Sequence, residues 1–262
     1  MKIVVCIKQV PDTKGGVVFN PDGTLNRGAM LTIMNPDDKA GLEAALRIKE
    51  ETGAEVTVLT MGLPKAEEVL REAMAMGADN GILVTDRVLG GADTWATSTT
   101  IAGALRNIDY DLIITGRQAI DGDTAQVGPQ TAERLDLPQV TYVDEIIELT
   151  PEKVTVKKAL EDEEQILTAK MPCVLTTLSG MNKPRYMNCN DIVDSFNNPV
   201  KIMTFDDLDL DQSVVGLAGS PTKVHATFTK DVSAETQTYN MPAKETAELI
   251  AKTLKEKQLI TK

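Results

Sequence analysis

Histidine is almost missing from this chain: His225 is the only one in 262 residues. A Ser-His-Asp triad or a multi-histidine metal site is hard to build from that supply. His225 sits in Lys223-Val224-His225-Ala226-Thr227, which alternates like a strand, so its expected role is structural. Cysteine is scarce as well. Cys6, Cys173 and Cys189 are odd in number and far apart, so no disulfide framework or CxxC metal site follows, and a reducing compartment fits. Aromatic residues make up 3%, too few to suggest platforms for stacking single-stranded bases. Basic side chains number 27 against 39 acidic ones, a net charge of −12. Nucleic acid and anionic membranes attract basic surfaces, so neither is an expected partner. No apolar run nears the ~18 residues that would span a bilayer. The opening Met1-Lys2-Ile3-Val4-Val5-Cys6 reads as a strand rather than a leader, and the expectation is a soluble, cytoplasmic chain.

Several nucleotide-handling motifs are absent too. There is no G-x-x-x-x-G-K-[ST], hence no lysine placed to grip a β,γ-phosphate. No G-x-G-x-x-G follows the first strand, and no Ser-Gly-Gly-x-Asp pyrophosphatase loop either; Gln9-Val10-Pro11-Asp12 occupies that position. These gaps favour holding a cofactor over group transfer. No side chain stands out as an acid, base or nucleophile.

What is present is an alternation. Strands are expected at 2–10, 55–59, 81–85 and 111–115, each followed by a helical pattern. Asn35-Pro36 opens a helix to about residue 52, with Asn35 as its cap and Pro36 in the first turn. Further helices fall at 66–76 and 93–107. This predicts an α/β fold: a doubly wound parallel sheet. Right-handed crossovers then place every strand-to-helix loop on one edge, where ligands lie. Those loops begin near 6–10, Met61-Gly62, 86–93 and 116–131. A hairpin closed by Pro21-Asp22-Gly23 is expected over 16–25. From about residue 139 the runs 140–149, 154–159, 165–169 and 174–178 read as an antiparallel extension, with 161–164 as a solvated acidic turn. Residues 180–242 are polar, lack periodicity and are broken by Pro184, Pro199, Pro221 and Pro242. Such a stretch is either disordered or wrapped on a partner. A last helix over 243–257 puts Ala247, Ile250, Ala251 and Leu254 on one face. The expected division is 1–180, the α/β domain with its extension, and 181–262, a long C-terminal arm plus helix.

One stretch organises the rest. After the apolar run Asp111-Leu112-Ile113-Ile114 comes Thr115-Gly116-Arg117-Gln118-Ala119-Ile120-Asp121-Gly122-Asp123-Thr124-Ala125-Gln126-Val127-Gly128-Pro129-Gln130-Thr131. Gly128-Pro129 suits a helix start. A polar, glycine-bearing loop between a parallel strand and a helix N-terminus favours a phosphate, through free N–H groups and the positive helix end. Gly116 and Gly122 admit close backbone approach, and Asp121, Asp123, Thr124, Gln126 and Thr131 can hydrogen-bond a ligand.

The residues resemble the beta subunits of electron-transfer flavoproteins over nearly the whole chain. The likeness runs through Val5-Cys6-Ile7-Lys8-Gln9-Val10-Pro11-Asp12, Met34-Asn35-Pro36 and Ala75-Met76-Gly77-Ala78-Asp79. It continues in Gly116-Arg117-Gln118-Ala119-Ile120-Asp121-Gly122-Asp123, Leu137-Pro138-Gln139, residues 157–164, Pro172-Cys173-Val174 and Asn182-Lys183-Pro184-Arg185-Tyr186. The resemblance implies an adenine-nucleotide-binding, HUP-like domain in a heterodimer. The partner is an alpha subunit that carries a flavin, and the C-terminal arm wraps it. By position, nucleotide contacts fall on Cys6, on Asn35, Pro36, Asp37 and Asp38, on Met61, and on Gly116 through Val127, including Arg117, Gln118, Ala119, Ile120 and Ala125. A partner-recognition loop falls on 186–196: Tyr186, Met187, Asn188, Cys189, Asn190, Asp191, Ile192 and the residues after them. Cys189 stands where the family usually has a leucine.

Ordinary members hold AMP in this site; bifurcating members hold a second FAD that takes hydride from NADH. Thr85-Asp86-Arg87 with Gly90-Gly91-Ala92-Asp93-Thr94-Trp95-Ala96-Thr97 resembles the bifurcating branch. There Asp93 caps a helix, with Thr94 and Thr97 nearby, and the glycine pair leaves room beyond an AMP moiety. Arg87 and Arg117 are candidates for positive charge near the cofactor. The implied chemistry sends one electron to ferredoxin or flavodoxin, and the other through the alpha-subunit flavin to an acyl-CoA dehydrogenase. Two other readings of the α/β pattern stand beside it: a universal-stress-type nucleotide-binding module, and an adenylating enzyme.

Overall fold

A computed structural model describes residues 1–12, 31–223 and 237–260. The expected hairpin over 16–25 and the strand around His225 lie outside them. Val- and Ile-rich β1 (Lys2–Cys6) leads to a short antiparallel pair, β2 (Gln9–Pro11) and β3 (Thr32–Met34). There follow α1 (Pro36–Thr52), β4 (Glu55–Met61), α2 (Glu67–Met76), β5 (Asn80–Val84), α3 (Thr94–Leu105), β6 (Leu112–Gly116) and α4 (Val127–Arg134). The alternation expected from the sequence is present, and β1, β4, β5 and β6 pair in parallel. Alternate side chains feed two cores. Ile3 and Val5 meet Leu42 and Leu46 of α1 and Leu70 of α2 on one face. Val4 and Cys6 meet Ala104 and Leu105 of α3 and Ala132 of α4 on the other. A strand covered on both faces reads as a continuous apolar run, and all five residues of β6 are buried.

Beyond α4 the sheet grows in an unexpected order. β7 (Gln139–Leu149), β8 (Lys153–Ala159) and β9 (Glu164–Lys170) form the antiparallel extension. The run at 174–178, grouped with them from the sequence, belongs elsewhere. As β10 (Cys173–Thr177) it lies parallel between β6 and β7. Its five residues are all buried, because Gly41 of α1 packs against Thr177 from one side and α4 covers it from the other. β7 therefore serves two partners, β10 at its start and β8 beyond. Tyr142, at the register shift, takes φ +60, and its N–H donates to Thr176 Oγ1 at 3.2 Å.

Residues 181–223, expected to stand apart, supply α5 (Cys189–Asn197) and β11 (Val200–Met203). β11 pairs in parallel with β5 and completes the order β11-β5-β4-β1-β6-β10-β7-β8-β9. Met203, Leu208 and Val215 are buried in the core shared with α3. The chain divides into compact units at Met1–Lys223 and Val224–Lys262. The second unit contains α6 (Ala243–Glu256), none of whose residues is buried. Among the described residues, no helix is long and apolar enough to cross a membrane.

Candidate functional site

The connection after β1 crosses one face of the sheet and that after β6 crosses the other, which leaves a crevice beyond their C-terminal ends. A cavity of about 510 Å³ opens there. The four strand-end loops anticipated from the sequence line it together: Cys6 to Lys8, Met61 to Leu63, Asp86 with 89–94, and 115–119 with 122–128. Apolar side chains of Met61, Leu63, Val84, Leu89 and Ile101 come from the β4, β5 and α3 side. Polar groups come from β1, β6 and the start of α4.

The loop after β6 is held from behind by α1. Asp38, buried, takes the Lys8 N–H on Oδ2 at 2.8 Å and the Gly116 N–H on Oδ1 at 2.9 Å, so one carboxylate ties the ends of β1 and β6 together. Burial pushes its carboxyl up to about 7, against the pull of those backbone donors. Asn35 stands at the N-cap of α1 with Pro36 in the first turn, as expected, but its side chain makes no capping hydrogen bond. Its Nδ2 donates to the Gln118 carbonyl at 2.8 Å, and its Oδ1 accepts the Ile120 N–H at 3.1 Å. Lys8 Nζ pairs with Asp121 at 2.7 Å, and Gln118 Nε2 donates to Asp123 Oδ1 at 2.8 Å. Asp123 and Ala125 take φ +49 and +52, turning the chain into α4.

Of the anticipated contacts, Cys6, Asp38, Met61, Asp93, Thr94, Thr97, Gly116, Arg117, Gln118, Ala119, Gly122, Asp123, Thr124, Ala125, Gln126, Val127 and Thr131 line the cavity. Asn35, Pro36, Asp37, Ile120 and Asp121 are not in that lining; Asn35, Asp37 and Asp121 reach it through Gln118, Arg117 and Lys8. Ile7, Lys8, Leu63, Leu89 and Ile101 were not singled out from the sequence. Lys8 and Leu63 follow strand ends and Leu89 lies in the 86–93 loop, so all three were reachable by that rule; Ile101, within α3, joins only through packing. Arg87 is exposed and outside the lining. Arg117 lies within it: Nε is 3.5 Å from Asp37 Oδ2, and its guanidinium sits 5.9 Å from the Tyr142 ring centroid. Burial pushes the Cys6 thiol up to about 12, so it stays protonated and inert. Thr131 Oγ1 is buried at the cavity wall with no hydrogen-bond partner among the described residues. A buried hydroxyl of that kind takes its partner from a water or from a ligand atom that reaches it.

The anticipated recognition residues form a separate surface, none of it in the cavity lining. Arg185 locks the segment before it to α1. Burial alone would raise the Glu43 carboxyl, but the Arg185 hydrogen bonds outweigh it and hold Glu43 below the usual carboxylate range. The closest of them is Nε to Oε2 at 2.9 Å. Asn188 then caps α5 by accepting the Asp191 N–H at 2.8 Å. Tyr186, Val193 and Phe196 are 94%, 62% and 69% exposed, with Met187 and Ile192 beside them. Cys189 is a free, exposed thiol.

Residues 23–207 match the family described as the electron transfer flavoprotein domain. The beta subunit of an electron transfer flavoprotein from Clostridium acetobutylicum is 48% identical over 260 residues, covering 99% of this chain and 100% of that protein. The chain belongs to the electron-transfer flavoprotein beta-subunit family. Beta subunits of electron-transfer flavoproteins pair with an alpha subunit, and the family binds flavin or AMP-type cofactors. A stand-alone stress-type module is thereby set aside. Two other relatives carry names that place them in reductase assemblies. The acryloyl-CoA reductase electron transfer subunit gamma of Anaerotignum propionicum is 48% identical, covering 87% of this chain and 88% of its own length. The caffeyl-CoA reductase-Etf complex subunit CarD of Acetobacterium woodii is 47% identical, covering 87% of each chain.

Proposed function

We propose that this beta subunit holds FAD in the strand-end cavity and serves an electron-bifurcating heterodimer in the cytoplasm. The observation that carries the reading is the reach of the cavity. From the phosphate-friendly loop at 116–128 it continues to Met61, Leu63, Val84, Leu89 and Ile101, which on this reading gives room for more than a mononucleotide. Its size falls in the ~300–1,000 Å³ range of sites that enclose a sizeable cofactor. The likeness to subunits of acryloyl-CoA and caffeyl-CoA reductase assemblies supports the same choice.

On this reading the α4 N-terminus and the backbone of 116–127 face the pyrophosphate, and Thr131 Oγ1 supplies a hydrogen bond. Arg117 places its charge at the rim, and the apolar residues of β4, β5 and α3 exclude water from a ring system. The bound flavin would supply the redox chemistry, taking hydride from NADH and passing single electrons on. Ferredoxin or flavodoxin would receive one electron, and the other would pass by way of the alpha subunit to an acyl-CoA dehydrogenase, for which Tyr186, Met187, Ile192, Val193 and Phe196 offer the docking surface.

Co-expression with the alpha subunit, followed by release and counting of cofactors, tests this directly. Two FAD per heterodimer, with NADH bleaching the flavin absorbance, is the expected result. One FAD and one AMP would overturn bifurcation and leave a scaffold subunit.

A further inference from the structure

Asp93 caps α3 with only one of its oxygens. Oδ1 accepts the Ala96 N–H at 3.0 Å. Oδ2 is taken by a distant part of the chain: the Thr222 N–H donates to it at 2.9 Å and the Thr222 hydroxyl at 2.7 Å. The Asp93 N–H in turn donates to Ser220 Oγ at 2.8 Å, and Ser220, buried, donates to the Gly216 carbonyl at 2.7 Å. Close by, the Leu217 N–H donates to the Gly90 carbonyl at 2.9 Å. Gly216 takes φ +58, and a Cβ there would fall 2.0 Å from the Val88 carbonyl oxygen. Residues 216–222 are thus laid against 88–93 with their backbones in contact. Burial would raise the Asp93 carboxyl; its bonds from Ala96 and Thr222 outweigh this and keep it below the usual range, a charged acceptor at neutral pH.

The same 90–94 stretch is a wall of the cavity. It is joined to the opposite loop by Thr94, whose hydroxyl donates to Gln126 Oε1 at 2.8 Å. Two adjacent residues of this wall are therefore pinned by hydrogen bonds, Asp93 to Thr222 on one side and Thr94 to Gln126 on the other. Both oxygens of the Asp93 carboxylate are engaged by the protein, which makes it a latch between 216–222 and the 90–94 wall. We infer that Ser220 and Thr222 are positioning residues for the nucleotide site: through Asp93 they hold the 90–94 wall in place, and retention of the nucleotide depends on them. This rests on the reading that the cavity holds a nucleotide. The latch ends next to Lys223, where the chain passes into its second unit.

The test uses the co-expressed heterodimer as wild type, Ser220→Ala/Thr222→Val and Thr222→Ser. Nucleotide per heterodimer, beyond the flavin of the alpha subunit, is counted before and after prolonged dialysis. The double variant loses three hydroxyl hydrogen bonds, two of them to Asp93, and is expected to speed release about tenfold. Thr222→Ser keeps the hydroxyl and is expected to retain nucleotide like the wild type. Equal retention in the wild type and the double variant overturns the latch and leaves the nucleotide reading intact. A wild-type complex with no nucleotide beyond the alpha-subunit flavin overturns both. Should the double variant fail to assemble, Thr222→Val alone, compared with Thr222→Ser, decides the matter: equal release rates overturn the latch.

Discussion

A Cβ at position 116 would lie 2.2 Å from Asp38 Oδ1 and 2.8 Å from the Asp38 backbone nitrogen. Gly116 is what lets the carboxylate bridge β1 and β6. Gly116→Ala should therefore destabilise the fold by about 1–3 kcal/mol through forced repacking and weaken cofactor retention with it; thermal melts and cofactor release on the same sample check both. Asp38 carries a pH signature. Its carboxyl is raised to about 7 in the folded protein, so between the unfolded value near 4 and about 7 the folded state binds the extra proton. This contribution to stability is fully present below the unfolded value and disappears as pH rises through 7, a fall of up to about 4 kcal/mol. Asp38→Asn should flatten that slope in denaturant melts run from pH 4 to 8; an unchanged slope would assign the proton elsewhere. At this scale the sequence was partly legible. The loop at 116–128 announced itself by glycines and polar side chains after an apolar run. Asn35 did not, because Asn-Pro satisfies a local capping rule while its real partner, Gln118, stands 83 residues away.

Among the elements, α5 is tied at its C-terminal end by one side chain of α2. Arg71 of α2 donates to the carbonyls of Ser195 and Asn198 at its C-terminal end, and is itself held by Glu67 at 2.7 Å. Its guanidinium also lies 5.8 Å from the Phe196 ring centroid. A cation at a helix C-terminus satisfies orphan carbonyls and complements the dipole. Arg71→Met keeps the aliphatic stem and removes the charge. It should raise hydrogen exchange of the α5 amides about tenfold without changing cofactor content; unchanged exchange would mean α5 is held by other contacts. The strands show where sequence reading reaches its limit. β1, β4, β5 and β6 were legible because buried parallel strands are short apolar runs between helical patterns. β10 has the same signature, yet it follows three antiparallel strands, and order along the chain hid its place in the sheet. β11 was invisible for the opposite reason: Val-Lys-Ile-Met is an edge strand with one buried residue, and four residues carry too little pattern to register.

For the whole molecule, the first unit encloses its own core and cavity, while α6 in the second has an apolar face with Ile250 54% exposed and Leu254 half-buried. On the proposed reading the alpha subunit covers that face. Ile250→Asp should then weaken heterodimer formation at least tenfold by sedimentation, since one buried apolar side chain contributes roughly 1.5–3 kcal/mol. Circular dichroism of the first unit should be unaffected; undiminished association would place the contact elsewhere. The sheet order has a consequence for synthesis. β6 ends at residue 116 but gains its second neighbour, β10, only once residue 177 is made, and β5 waits for β11 until residue 203. Until then the growing chain carries two unpaired parallel edges, one of them at the strand that supplies Gly116. Open edges are sites of mispairing, and pairing over such separations is slow. The nascent chain is therefore most vulnerable while the cofactor loop has already emerged and the strand that seals it has not.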